Sequence, residues 1–152
     1  MRVVAQRVND ASVRWDAGEA SIGQGYCLLV GVADSDTERD ADYLADKILK
    51  LRVFSDEAGK FNLSATQVEA DLLVVSQFTL FADARGQNRP SFLHAARPEQ
   101  GRPLLDRFIS RLRDSGLRVK TGSFGAQMAV RLTNDGPVTI VLSTDAWEPR
   151  IG

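Results

Sequence analysis

Asp71-Leu72-Leu73-Val74-Val75-Ser76-Gln77-Phe78-Thr79-Leu80-Phe81 is the stretch on which the fold turns. Its first half is almost wholly apolar and Val-rich, which predicts a central β-strand running from Asp71 to Phe81. The second half then carries three polar side chains, Ser76, Gln77 and Thr79, whose burial without partners would cost about 1–3 kcal/mol each. Either these groups have a chemical task or they satisfy neighbouring backbone at a sheet edge. Alternation along a strand puts Gln77 and Thr79 on one face and Ser76 and Phe78 on the other, which separates Ser76 from Thr79 as a hydroxyl pair.

Working outward, Arg52-Val53-Phe54-Ser55 reads as a short strand closed by the turn Asp56-Glu57-Ala58-Gly59-Lys60. Before it, Asp36-Thr37 offers a helix cap, and Ala41, Leu44, Ile48 and Leu51 recur at the spacing of one helix face. The chain opens with two strands, Arg2 to Trp15 and Glu19 to Val32, joined at Asp16-Ala17-Gly18. Downstream, a loop from Ala82 to Pro90 leads to a second helix from Pro98 to Ser115, closed by Gly116 and lined by Leu104, Leu105, Phe108, Ile109 and Leu112. Three strands follow, at Leu117 to Lys120, Met128 to Thr133 and Val138 to Ser143. With no repeat or linker, residues 1–152 form one α/β domain of mixed sheets packed with two main helices, and the tail 144–152 is expected to be loosely held.

Composition narrows the chemistry. A chain of 152 residues with 43% apolar and 26% charged residues can close a core without disulfides or structural metal. The single Cys27 fits a reducing compartment and reads as core, and no apolar run approaches the ~20 residues of a membrane-spanning helix. A cytoplasmic protein with no membrane partner is the expectation. With one His and one Cys, zinc sites built from these residues lack ligands and a Ser-His-Asp or Cys-His site would have to use His94, for which no Ser or Cys partner can be placed. Neither a metal nor another cofactor is expected. Gly23-Gln24-Gly25 lacks the third glycine of a dinucleotide fingerprint, and Gly59-Lys60 lacks the upstream glycine of a phosphate loop, so both read as turns.

The formal charge of −1 hides an asymmetry. Arg85 to Lys120 holds nine basic and three acidic residues, whereas Asp34 to Glu57 holds four basic and eight acidic. The Arg-rich stretch, with Arg102 and Arg107 on the second helix, suits contacts to phosphate oxygens or is a solvated helix face. A second unusual stretch is Asn134-Asp135-Gly136-Pro137-Val138-Thr139-Ile140, a turn entering a strand. A trans proline is the ordinary case there; a cis bond would present the Gly136 and Pro137 carbonyls as a rim able to hold an ammonium group.

Ser76-Gln77-Phe78-Thr79-Leu80 followed by Asn134-Asp135-Gly136-Pro137-Val138-Thr139 resembles the motif pair of the D-aminoacyl-tRNA deacylases. Gln6-Arg7-Val8, Asp40-Ala41-Asp42-Tyr43-Leu44-Ala45, Gly59-Lys60-Phe61-Asn62, Arg89-Pro90-Ser91-Phe92 and Thr121-Gly122-Ser123-Phe124-Gly125-Ala126 extend the likeness over nearly the whole chain. The resemblance implies a layered α/β/β homodimer that cleaves the ester joining a D-amino acid, or glycine, to the 3′ end of tRNA. It implies that Gly136-Pro137 is cis and enters the partner subunit's pocket to hold the α-ammonium, that Arg7 braces it, and that Ser76, Gln77, Phe78 and Thr79 line the pocket. The Phe78 N–H is then the candidate oxyanion donor. Two attacking groups stay open: the Thr79 hydroxyl, which needs a base that its sequence neighbours do not provide, and water assisted by the 2′-hydroxyl of the terminal ribose, which is favoured. Two other readings are a nucleic-acid-binding module without catalysis and a Thr-dependent hydrolase of small esters or amides.

Overall fold

The computed structural model describes residues 1–146. Its spine is β1 (Arg2–Trp15), long enough to serve three partners. Along one edge its first half pairs antiparallel with β3 (Gly25–Gly31) and its second half with β2 (Gly18–Ile22), while β8 (Ala129–Ser143) follows the opposite edge. Beyond β3 lie β6 (Asp71–Ser76) and β7 (Val119–Thr121), both added in parallel, so β6 is the central strand its apolar run predicts. Two short strands, β4 (Phe54–Ser55) and β5 (Phe61–Leu63), make a separate hairpin.

The two helices cover one face of this sheet. α1 (Glu38–Lys50) begins at Thr37, where the Asp40 carboxylate accepts both the Thr37 N–H at 2.8 Å and its hydroxyl, and it buries Ala41, Leu44, Ala45 and Ile48. α2 (Pro98–Arg113) starts on a proline suited to a first helical turn and buries Leu104, Leu105, Phe108, Ile109 and Leu112. These side chains meet Val3, Ala5, Leu28, Leu72 and Val74 in the main core. Val8, Val13, Ile22, Cys27, Leu73 and Val75 form a second core on the opposite face, with Met128 and Leu132 packed against it. Val3 and Val8 face different cores by ordinary alternation, whereas Val13, an odd position like Val3, shares the core of Val8 because β1 and β8 slip register around Val8, which changes the face that side chains present. The helices thus cap one face of the sheet, and the second core fills its other face.

Four expectations change. Glu19 to Val32 is two strands, broken at Gly23-Gln24. The short strand expected from Arg52 to Ser55 is confined to Phe54–Ser55 and is half of a hairpin, because the residues after Lys60 pair back on it as β5. Met128 to Thr133 and Val138 to Ser143 are parts of one strand, β8, and Asn134 to Pro137 is an irregularity within it, tolerated because the pairing with β1 shifts at the same level. The start of the 144–152 tail is tied down: the Thr144 N–H donates to the Met1 carbonyl at 3.0 Å, and Asp145 pairs with Arg2 at 2.9 Å. The rest of that tail, 147–152, lies outside the described residues. Among the described residues no helix is long and apolar enough to cross a membrane.

Candidate functional site

The central strand stops at Ser76, short of the expected Phe81. Ser76 is the last residue registered against β3, opposite Val30, and the Gln77 N–H still donates to the Val30 carbonyl at 2.8 Å. Phe78–Phe81 then turns as a 3-10 helix laid over Gly31. A Cβ on Gly31 would stand 2.9 Å from the Gln77 carbonyl oxygen and 3.0 Å from the Phe81 ring, so the turn depends on that glycine's bareness. Strand alternation therefore does not apply beyond Gln77. Gln77 and Thr79 do come together, by a hydrogen bond from the Gln77 carboxamide to the Thr79 hydroxyl across the turn.

This geometry leaves chemistry exposed. Phe78 and Thr79 open the turn, so their N–H groups have no acceptor inside it. The Phe78 ring is 58% exposed and packs edge-on against Phe92 at 5.0 Å. Ser76, Gln77 and Phe78 line a cavity of about 400 Å³ walled by Phe92, Leu105 and Phe124, a size and apolar character suited to a small organic group. On the other side of the same three residues, a second hollow of about 330 Å³ runs to Met128 and Val130. The Thr79 hydroxyl has Gln77 as its side-chain partner, and a carboxamide takes up no proton, so this contact supplies no general base. His94 is exposed, and its carbonyl rather than its ring is engaged, by the Asp34 N–H at 3.0 Å.

The Gly136–Pro137 bond is cis. Asn134 clamps the segment: its Oδ1 accepts the Val138 N–H at 2.7 Å, and its Nδ2 donates to Thr139 Oγ1 at 3.2 Å. Gly136 has φ of 134° and its missing Cβ would collide with Val138 at 2.7 Å, so the position is closed to larger residues. Arg7, 7% exposed, lies beneath. Its Nε donates to the Asp135 carbonyl at 3.1 Å and pairs with the Asp135 carboxylate at 3.3 Å, while its Nη1 donates to the Val53 carbonyl at 2.7 Å. Gly136 and Pro137 are themselves exposed and line neither hollow at Ser76 to Phe78. The two motif segments are thus built separately within one chain. Phe92 and Phe124, which wall the cavity, stood in quoted motifs, but only the packing of distant loops gives them their place.

Part of the charge asymmetry is neutralised within the chain. Arg107 holds Asp42 at 2.7 Å and Glu38 at 2.8 Å, and Arg111 holds Asp46 at 2.8 Å, so the basic flank of α2 meets the acidic flank of α1. Hydrogen bonds from these guanidinium groups keep the Asp42 and Asp46 carboxyls below the usual carboxylate range. Arg102 points elsewhere, over the Phe124 ring at 5.9 Å from its centroid. Of the two arginines expected to face a phosphate backbone, Arg107 is already paired and Arg102 borders the Ser76 region.

Comparisons with known proteins converge on one family. The family model described as D-Tyr-tRNA(Tyr) deacylase matches residues 4–143. A D-aminoacyl-tRNA deacylase of Dehalococcoides mccartyi is 53% identical over 99% of this chain and 100% of its own length, and one of Brevibacillus brevis is 51% identical over 95% and 100%. Among solved structures, one titled c-Myc DNA Unwinding Element Binding Protein superposes with a TM-score of 0.88 at 41% identity, covering 96% of this chain and 100% of that one. A probable eukaryotic D-amino acid tRNA deacylase has a TM-score of 0.83 at 18% identity, covering 93% and 97%, a likeness of fold. Family model, full-length relatives and fold agree: the chain belongs to the D-Tyr-tRNA(Tyr) deacylase family.

Proposed function

We propose that the chain is a D-aminoacyl-tRNA deacylase acting in the cytoplasm as a homodimer, removing D-amino acids, and glycine, from the 3′ end of tRNA. The observation that carries the reading is the turn at Phe78–Phe81, which sets the Phe78 N–H, without an acceptor in the turn, beside a cavity of about 400 Å³ whose described lining holds no Asp, Glu, His or Cys. An aminoacyl ester is already activated. Water adds to the carbonyl with help from the neighbouring 2′-hydroxyl, the bond to the ribose 3′-oxygen breaks, and that oxygen takes the proton. The Phe78 N–H stabilises the oxyanion that forms, and the Thr79 hydroxyl fixes the turn through Gln77.

Chirality needs a second element. In this reading Gly136-Pro137 of one subunit enters the other's site, where its carbonyls take the α-ammonium and its backbone excludes an L side chain. What supports this is that the segment is rigidly clamped, exposed and apart from its own chain's Ser76 region. Subunit complementation tests it. Gly136→Ala disturbs the clamp, and Phe78→Pro removes one N–H at a position where proline suits the turn. Each variant alone should lose at least about 100-fold in single-turnover deacylation, the scale of one oxyanion donor. Mixed dimers should regain activity through the one site that draws both intact segments. Recovery in neither mixture nor separate proteins would sink the cross-subunit reading.

A further inference from the structure

We infer that the flank of α2 turned away from α1, together with β7, is a phosphate track along which the acceptor end of the tRNA leaves the Ser76 cavity; the inference rests on the deacylase reading above. α2 divides its arginines between two sides. Arg107 and Arg111 are tied to α1, whereas Arg102 and Arg113 line a different set of hollows. From the Ser76 cavity, a hollow of about 330 Å³ passes Ser76, Phe124 and Arg102 to Trp15 and Thr121. The same Trp15 and Thr121 open a further hollow of about 460 Å³, lined by Arg113, Arg118 and Lys120. Neighbouring hollows share walls, Ser76, Leu105 and Phe124 between the first two and Trp15 and Thr121 between the last two, so they follow one another along this flank. Arg102 and Arg113 are separated by about 16 Å along the helix, enough for a strand leaving the site to pass several phosphates.

The charges along the path are available. Arg102, Arg113, Arg118 and Lys120 are all exposed, and among the described residues only Arg118 has an acidic partner, Asp71 at a loose 3.7 Å. Asp106 and Glu19 are the acidic residues on the walls, leaving positive charge in excess. Trp15, half-buried against the second core, stands at the junction and offers a flat apolar surface to a base or ribose. β7 is the last hydrogen-bonded strand on its side of the sheet, and the path runs between its edge and β2, whose Glu19, Ala20 and Ser21 form the facing wall. Arginine forks, an aromatic face and a route ending at the ester-sized cavity together suit an RNA strand better than an acidic protein surface.

The test compares Arg113→Gln/Arg118→Gln/Lys120→Gln with Arg111→Gln, whose residue faces α1. Affinity for uncharged tRNA is measured across a salt series, and single-turnover cleavage is measured on D-tyrosyl-tRNA and on 3′-D-tyrosyl-adenosine, which has no stem. The triple variant should bind tRNA at least about tenfold more weakly, with its salt slope reduced by about 2, while Arg111→Gln matches wild type. Its loss at subsaturating enzyme should be at least about tenfold greater on whole tRNA than on the adenosine ester. An unchanged affinity and slope would overturn the track, and so would an equal loss on both esters. If the wild type cleaves neither ester while the slopes still differ as stated, the deacylase reading fails and the RNA track stands.

Discussion

Replacing Arg7 by methionine isolates what this side chain does, because methionine keeps the unbranched stem and deletes the guanidinium. The loss leaves the Val53 carbonyl, bonded at 2.7 Å, without its buried donor, and releases the Asp135 carbonyl and carboxylate at 3.1 and 3.3 Å. A hydrogen bond from a charged donor to a buried acceptor contributes about 1.5–3 kcal/mol, and the partly exposed Asp135 contacts add about 1 kcal/mol. The destabilisation should be about 2.5–4 kcal/mol, a fall of about 10 °C in Tm for a domain of this size. Arg107→Met removes more ion pairs, to Asp42 and Glu38, yet these are solvent-exposed and should cost less than about 1 kcal/mol. Thermal unfolding by circular dichroism at one fixed protein concentration compares the two, the concentration being fixed because the Tm of the proposed homodimer would depend on it. Arg7→Lys should fall between, since one ammonium reaches only part of the clamp. Equal costs for Arg7→Met and Arg107→Met would refute the premise that burial, not the number of ion pairs, decides their weight.

Other outcomes follow from the same contacts. Thr79→Ala should keep single-turnover cleavage within about tenfold of wild type, since its partner Gln77 supplies no base; a loss beyond about 1000-fold would make Thr79 the nucleophile. Partial burial opposes ionisation of Asp145, but hydrogen bonds from Arg2 and Ser143 outweigh it and bring its pKa from 3.8 down to about 2. The folded value lies below the unfolded one, so its stabilisation is complete above 3.8 and fades as pH falls towards 2. Asp145→Asn should therefore be less stable than wild type near neutrality and converge with it in acid denaturation series; a gap that persists at the acid end would count against this. Burial pushes the Cys27 thiol up to about 11, so it should resist thiol reagents at mildly alkaline pH until the protein is unfolded, and rapid labelling of the native protein would contradict its place in the core.

What the sequence disclosed and what it withheld divide along local and long-range physics. α1 was legible because its cap and its apolar stripe are local, as was the central placement of β6 from its run of Leu and Val. The end of β6 was not, because it depends on β3 stopping at Gly31 and on the turn settling over that glycine, a contact between residues about 45 apart in sequence. The unity of β8 was hidden by Pro137, which argues against a strand until the matching slip in β1 is seen. The basic stretch is plain in the composition, but which arginines remain available depends on how α2 meets the acidic side of α1. The motif segments themselves were visible, whereas their separation within one chain, and Arg7's grip on Asp135 and Val53, needed the fold.

The most direct measurement charges one tRNA in parallel with D-tyrosine and L-tyrosine and follows single-turnover loss of each ester at equal enzyme and fixed salt. The account predicts rapid loss of the D ester with the L ester untouched. Loss of both esters at similar rates, or of neither while the tRNA still binds, would contradict it.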